Sequence, residues 1–389
     1  LKEMAERGRT LTRPLYRELK DYAAQLGIRD MIYLNIGEPD FPTPLPIVEA
    51  AKKAMDEGFT HYTEERGILE LREGIAERLK AEKGLDIDPK EGILITNGSS
   101  DAIFLTILSL VDPGDEVVLP EPYYPPFLSA IKLASGKPVT LPLNRDTLTL
   151  EPDQVAAAVG AKTKLMVVNS PCNPTGMVYG KDVLKAVAEL AVDHDFYVVS
   201  DEVYDRFVYD GAESLSIAAF PGMTERTLIL NSFSKTYAMT GWRIGYVAGD
   251  GQRVSRILRV KGAGNVCPNS IAQKAAVAAL REGEPYVARM LKEYAERRQL
   301  VWEALQRLPA FRCPKPQGAF YLLPDVSAVE KDSLKFAKYL IKEAHVVVGP
   351  GVAFGPSGEG RIRISYSASK ENLTQAFERL RQAVENYGG

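Results

Sequence analysis

Cysteine, histidine and tryptophan are scarce in this chain: its 389 residues include three cysteines, three histidines and two tryptophans. Cys172, Cys267 and Cys313 stand far apart and form no C-x-x-C pair. That spacing suggests neither a disulfide framework nor a zinc site, and a reducing, cytoplasmic setting is expected. His61, His194 and His345 are scattered, and H-E-x-x-H, G-x-S-x-G and G-x-x-x-x-G-K-[ST] are all missing. Metal-assisted hydrolysis, a serine triad and P-loop chemistry therefore have no support. An excess of one charge is lacking too. The formal net charge is -3, so there is no overall basic field of the kind that nucleic acid or an anionic membrane would require. No run approaches the roughly 20 apolar residues that span a bilayer, and LKEMAERGRT is charged, without the apolar core of a secretory signal. A protein neither secreted nor inserted is expected.

What is present is an ordinary globular composition. With 45% hydrophobic and 25% charged residues, the chain can bury a large core, and its length suggests two or three domain-sized units. From about residue 90, short β-branched runs alternate with helical patterns, as in βα units on a mostly parallel sheet. Strands are predicted at 92–96, 115–120, 137–143, 163–169, 195–200, 226–231 and 243–249. Apolar residues at helical spacing predict a helix over 182–195, and a long helical stretch over 269–308 should break at Pro285. The plan is an α/β fold: a large domain (46–284) with a mostly parallel mixed sheet flanked by helices. A small α+β domain is expected from 1–45 with 285–389, closing over the substrate.

Two stretches imitate a dinucleotide fingerprint. GAGNVC (262–267) has cysteine in the third glycine's place and follows a helix, while GPGVAFG (349–355) is one residue too long. Either change loses the close helix–strand packing that the third glycine permits, so NAD binding is not expected.

A different set of polar residues falls just beyond the carboxyl ends of predicted strands, where α/β proteins place their sites. Gly98, Ser99 and Ser100 follow 92–96 and open a helical pattern. Glycine allows close approach, and the N–H groups of a helix start suit a phosphate, although a Gly-Ser turn with a serine cap is, taken alone, more often purely structural. Asp201, followed by Glu202 and Tyr204, ends FYVVS. Its carboxylate suits either a turn or the protonated nitrogen of a pyridine ring. In NSPCNPTG (169–176), prolines flank Asn173 and make it a rigid hydrogen-bonding group.

Lys235 lies in NSFSKTYAMTGWRIGY (231–246). A lysine amine becomes a Schiff-base nucleophile when desolvation or a neighbouring cation lowers its pKa. Ser232, Ser234 and Arg243 are close enough in sequence to bind a phosphate in the same pocket. Phosphate, pyridinium partner and lysine together specify pyridoxal 5'-phosphate.

GEPDFPTP (37–44), YTEERGILELR (62–72), DPGDEVVLPEPYY (112–124), NSPCNPTG, SDEVYDRFVYDG, SFSKTYAMTGWRIGY, QGAFY and GRIRISYS run in order through the chain. Jointly they resemble the pyridoxal-phosphate-dependent class I/II aminotransferases of the aspartate-aminotransferase fold type. The resemblance implies that Lys235 forms the covalent aldimine, that Asp201 pairs with the pyridine nitrogen, and that Tyr204 and Asn173 bond the ring's phenolic oxygen. It places Gly98, Ser99, Ser100, Ser232 and Arg243 at the phosphate. Tyr124 takes the place of the aromatic stacked on the ring, often tryptophan in the family, and Tyr62 that of a tyrosine reaching the neighbouring subunit's phosphate. A homodimer follows, with active sites near the subunit interface. Arg363 matches the arginine that grips the substrate α-carboxylate, with Gly37 and Asn173 at the same end of the pocket. In RIRISY, alternation puts Arg361, Arg363 and Ser365 on one face. The pattern does not separate the two arginines, a solvated face is the default for both, and only the resemblance singles out Arg363.

The expected activity is transfer of an amino group from an L-amino acid to a 2-oxoacid, 2-oxoglutarate foremost. Some aspartate-specific members carry a lysine where Ser100 stands and others an arginine in the segment matching 262–269, which here has none. Alanine, aspartate, aromatic and broad specificity all stay open, and Arg13, Arg66 or Lys261 are the candidates for a distal carboxylate. A β-lyase on the same scaffold is the alternative. A non-catalytic cofactor-binding regulator is disfavoured, because only about 35 residues precede GEPDF and they show no basic helix-turn-helix pattern.

Overall fold

The computed structural model describes residues 3, 5, 8, 11 and 15–388. Following a short β1 (Ile32–Tyr33), the chain lays down β2 (Ile93–Thr96), β3 (Glu116–Glu121), β4 (Lys137–Pro142) and β5 (Thr163–Asn169). Then come β6 (Tyr197–Asp201), β7 (Thr227–Ser232) and β8 (Gly245–Gly249). Strands β2 to β8 form one seven-stranded sheet in the order β2-β8-β7-β6-β5-β3-β4. All its pairings are parallel except those of β8, which is antiparallel to both β2 and β7. The mixed, mostly parallel sheet matches the expected plan.

Period-two alternation explains how the sheet is covered. Ile93 and Ile95 of β2 pack with Ile229, Tyr246 and Ala248 against residues of the helices Leu45–Asp56, Leu69–Lys83 and Ser270–Glu282. Leu94, one residue out of phase, joins Leu228, Leu230 and Val247 against the helices Ser99–Leu110, Pro125–Leu133 and Gly251–Gly262.

Differences from the predicted element ends have local causes. The strand expected from 243 starts at Gly245 because Arg243 is left-handed, with φ 56°. The helix expected to reach 195 stops at Asp193, and Asp195 takes φ 55°. Pro285 lies in the first turn of a new helix, Glu284–Gln306, where its missing N–H costs nothing.

A second apolar cluster joins the first described helix, Leu15–Gln25, to the later chain. It is built around β9 (Tyr321–Leu322), β10 (Val346–Val347), β11 (Gly349–Pro350) and β12 (Ile362–Ser365), with the helices Ser333–Ala344 and Lys370–Glu385. β11, β12 and β9 form an antiparallel sheet, and β1 pairs with β10. The sheet register Thr96–Gly245–Ser232, together with Leu230–Asp201 and Asp201–Asn169, brings the carboxyl ends of β2, β7, β6 and β5 to one edge. No helix among the described residues is long and apolar enough to cross a membrane.

Candidate active site

At that edge the chain turns sharply after β2. Gly98 takes φ 85°, and a Cβ there would collide with the guanidinium of Arg243. Helix Ser99–Leu110 starts at once, so its first N–H groups, unpaired within the helix, open next to Arg243. Arg243 is anchored by donating to the carbonyls of Thr240 (2.8 Å) and Asn97 (3.2 Å). Gly245 is equally constrained, since a Cβ would lie 2.8 Å from the Ser99 nitrogen. Ser232 ends β7, and its hydroxyl accepts from the Ser234 N–H at 2.9 Å, opening the turn that carries Lys235.

The amine of Lys235 donates to the Gly37 carbonyl at 2.5 Å. Burial pulls its pKa down to about 8; Glu38 opposes the shift, while the positive charges of Arg363 and Arg243 reinforce it. Beside it opens a cleft of about 530 Å³ lined by Glu38, Phe41, Thr43, Ala238, Thr240 and Trp242.

Asp201 ends β6 and is buried, with its carboxylate accepting from the Val203 N–H at 3.3 Å. Burial pushes its pKa up to about 7, with the charge of Glu202 acting in the same direction and the Val203 bond against it. Asn173 is held by its backbone N–H on the Asn169 side chain (2.9 Å), and its side-chain oxygen accepts from Arg363 (2.9 Å). The Tyr204 hydroxyl lies 2.6 Å from that of Tyr321. Tyr124 caps helix Pro125–Leu133, and burial raises its phenol pKa despite a hydrogen bond with Ser100.

Arg361, Arg363 and Ser365 do share a face, but that face is buried rather than solvated. A physical difference separates the arginines. Arg361 donates to the carbonyls of Leu323 and Arg145 and lies 3.5 Å from Asp325. Arg363 donates to Asn173 and to the Asn35 carbonyl (2.6 Å), and its guanidinium lies 4.6 Å from the ring centre of Tyr321 and 4.8 Å from that of Phe354. Among the described residues it has no carboxylate partner, and its Nε is buried without an acceptor.

The remaining candidates lie elsewhere. Tyr62 is 83% exposed and makes no part of this chain's own pocket. Arg66 is engaged by Glu91 and Ser255, and Lys261 donates to the Glu65 carbonyl at 2.7 Å. Arg13 falls outside the described residues. Sequence reasoning missed Tyr321, Asn35 and Phe354, although QGAFY already contained Tyr321.

Nearby lies a buried charge cluster. Lys83 donates to Glu202 (2.6 Å) and lies 3.3 Å from Asp205, which also receives Arg78 at 3.3 Å. The Asn231 amide donates to Asp205 (3.1 Å), and its oxygen accepts from the Ser232 N–H (2.7 Å). The loop after Asp201 is thereby tied to the turn before Lys235.

An amine lowered to about 8, a helix start beside Arg243, a buried carboxylate and a guanidinium bonded to no carboxylate among the described residues suit enzymes that handle amino acids through a bound aldehyde cofactor. Comparison with known proteins agrees: residues 29–380 match the model for aminotransferase class I and II, and the chain belongs to that family. It is 43% identical over 371 residues to an aromatic-amino-acid aminotransferase of Thermococcus litoralis, covering 95% of each chain. It is 42% identical over 371 residues to an aspartate aminotransferase of Pyrococcus abyssi, again covering 95% of each. Among solved structures, an aromatic aminotransferase from Pyrococcus horikoshii superposes with a TM-score of 0.89 at 43% identity, covering 94% of this chain and 98% of that one. The enzyme is a transaminase of a pyridoxal-phosphate-dependent family.

Proposed function

We propose that the enzyme moves the amino group of an L-amino acid (alanine, aspartate, aromatic or a broader set) to a 2-oxoacid, 2-oxoglutarate foremost, by a ping-pong mechanism. The observation that carries this reading is the Lys235 amine, brought down to about 8 in a pocket shared with Arg363 and Arg243. Such an amine serves as nucleophile and as the group that moves the α-proton, a step typically worth about 10²–10⁴-fold.

The residues present fit pyridoxal phosphate. Gly98 and Gly245 let the Arg243 guanidinium and the start of helix Ser99–Leu110 approach closely, where N–H groups and Arg243 would serve as anion donors. Asp201 is a buried carboxylate that a ring cation would return to its ionised form. When bound, the cofactor supplies the electron sink that makes the α-carbon acidic.

The chain's own residues then have separate tasks. Lys235 holds the cofactor and shuttles the proton at the α-carbon. Asp201 keeps the ring nitrogen protonated, while Tyr204 and the Asn173 amide donate to the phenolic oxygen. Gly98, Ser99, Ser100, Ser232, Ser234 and Arg243 receive the phosphate, and Tyr124 offers a flat face to the ring. Arg363 takes the α-carboxylate in its bidentate fork beside Gly37. The exposure of Tyr62 supports its reaching a second subunit, and hence a homodimer, while the three free cysteines support a cytoplasmic setting. The apolar cluster that joins Leu15–Gln25 to the later chain supports the expected division, a small domain from 1–45 with 285–389 closing on residues 46–284.

A panel of amino donors against pyruvate and 2-oxoglutarate tests the reading. Acceptor-dependent formation of the donor's oxoacid is expected. Ammonia and pyruvate released with no acceptor requirement would replace the transferase with the β-lyase.

A further inference from the structure

Tyr321 is only 1% exposed, and its neighbours are unlike those of a tyrosine that fills a core. Its hydroxyl lies 2.6 Å from that of Tyr204. Its ring faces the Arg363 guanidinium at 4.6 Å. Its hydroxyl also occupies the space that a Cβ on residue 37 would need, and Gly37 accepts from Lys235. One side chain therefore touches the guanidinium assigned to the substrate carboxylate, the hydroxyl assigned to the cofactor's phenolic oxygen, and the glycine whose carbonyl accepts from the amine.

Two other buried tyrosines show what plain satisfaction looks like. Tyr209 and Tyr366 both donate to the Ala319 carbonyl, at 2.8 and 3.1 Å. Their phenols also meet each other, but a carbonyl can only accept, so both of their hydrogens already have an acceptor. Two phenols in contact use one hydrogen between them and leave the other free. The cation over its ring makes Tyr321 the better donor. Tyr204 then keeps its own hydrogen to offer elsewhere.

We propose that Tyr321 is a positioning residue with two tasks: its ring holds Arg363 in place for the substrate α-carboxylate, and its hydroxyl donates to Tyr204, so that Tyr204's hydrogen serves the cofactor's phenolic oxygen. The inference rests on the function proposed above. It explains why position 37 is glycine: any Cβ would displace the Tyr321 hydroxyl from Tyr204.

The test uses the holoenzyme with Tyr321→Phe, which removes only the hydroxyl, and Tyr321→Leu, which removes the ring as well. The first readout is the pH titration of the visible absorbance of lysine-bound cofactor. In Tyr321→Phe its midpoint moves up by roughly half a unit or more, because Tyr204 becomes a poorer donor and the phenolic oxygen favours the protonated form. The second readout is the binding of two unreactive carboxylates, maleate and 3-phenylpropionate. Tyr321→Phe binds them within about twofold of wild type, and Tyr321→Leu at least about tenfold more weakly. If the leucine variant does not fold, Tyr321→Met replaces it; the phenylalanine arm stands regardless. An unmoved midpoint in Tyr321→Phe overturns the donor role, and unchanged carboxylate affinity without the ring overturns the other. Wild-type protein lacking lysine-dependent absorbance would instead overturn the proposed function and this inference with it.

Discussion

The amine of Lys235 meets the carbonyl oxygen of Gly37 at 2.5 Å across 198 positions of chain. The contact lies between the edge of the large sheet and the segment leading out of β1, so the early chain forms a wall of the pocket. That enclosure contributes to the burial that lowers the amine's pKa to about 8. Below pH 8 most of the amine is protonated and cannot attack an aldehyde.

Cofactor capture by the apoprotein should follow the free amine. The rate of appearance of visible absorbance on mixing with pyridoxal phosphate should rise about tenfold from pH 6 to pH 7 and level off above about pH 8. Stopped-flow absorbance measures this directly. A rate that does not change between pH 6 and 9 would contradict a depressed lysine as the capturing group.

Lys235→Ala should abolish that absorbance altogether and cost at least about 10²-fold in transfer rate. Its thermal midpoint should not fall, because removing a buried ammonium relieves desolvation. Retained lysine-type absorbance in the alanine variant would mean that another amine holds the cofactor.

The strands were legible because β-branched runs on a doubly covered sheet leave a continuous apolar signal: every residue of β2 and β7 is buried. The polar residues Asn173, Asp201 and Ser232 were legible because each stands where such a run gives way, at the edge of the sheet or just beyond it. Boundaries slipped where a non-glycine residue adopts positive φ, as at Asp195 and Arg243, which no pattern announces. Tyr321 and Asn35 were missed for another reason. Asn35 meets Arg363 across 328 positions and Tyr321 meets Tyr204 across 117, and such pairings carry no periodicity. Strand alternation did not separate Arg361 from Arg363; the resemblance did, and the physical difference between them, their partners, carries no pattern in sequence.

Gly98→Ala tests the phosphate corner. The added methyl collides with the Arg243 guanidinium at a φ that alanine adopts at a cost. The Kd for pyridoxal phosphate should rise at least about tenfold, as expected on weakening a charge-assisted contact. Affinity for pyridoxal, which lacks the phosphate, should change little. Equal losses for both ligands in a fluorescence titration would move the phosphate away from Gly98.

Lys83 tests the buried charge cluster. Burial opposes its charge, but Glu202 and Asp205 hold it protonated well above the usual lysine range. Lys83→Met takes from Glu202 the one cation it is bonded to among the described residues and leaves Asp205 with Arg78, and should cost about 3–5 kcal/mol in urea unfolding. Adding Glu202→Gln should restore part of that loss, because the uncompensated charge is removed with its partner. Strict additivity of the two losses would show that the pair is not coupled.

Arg363→Lys addresses substrate binding. The arginine is clamped between the faces of Tyr321 and Phe354, spends two nitrogens on Asn173 and Asn35, and retains a buried Nε–H without an acceptor. A lysine cannot reproduce that planar fork. The KM for amino donors should rise and kcat/KM fall by about 10²-fold, or ~3 kcal/mol, with kcat less affected. Arg361→Lys supplies the contrast: its partners are two carbonyls and Asp325, so it should lower the thermal midpoint while leaving KM near wild type. A KM unchanged in Arg363→Lys but raised in Arg361→Lys would reverse the assignment of the α-carboxylate to Arg363.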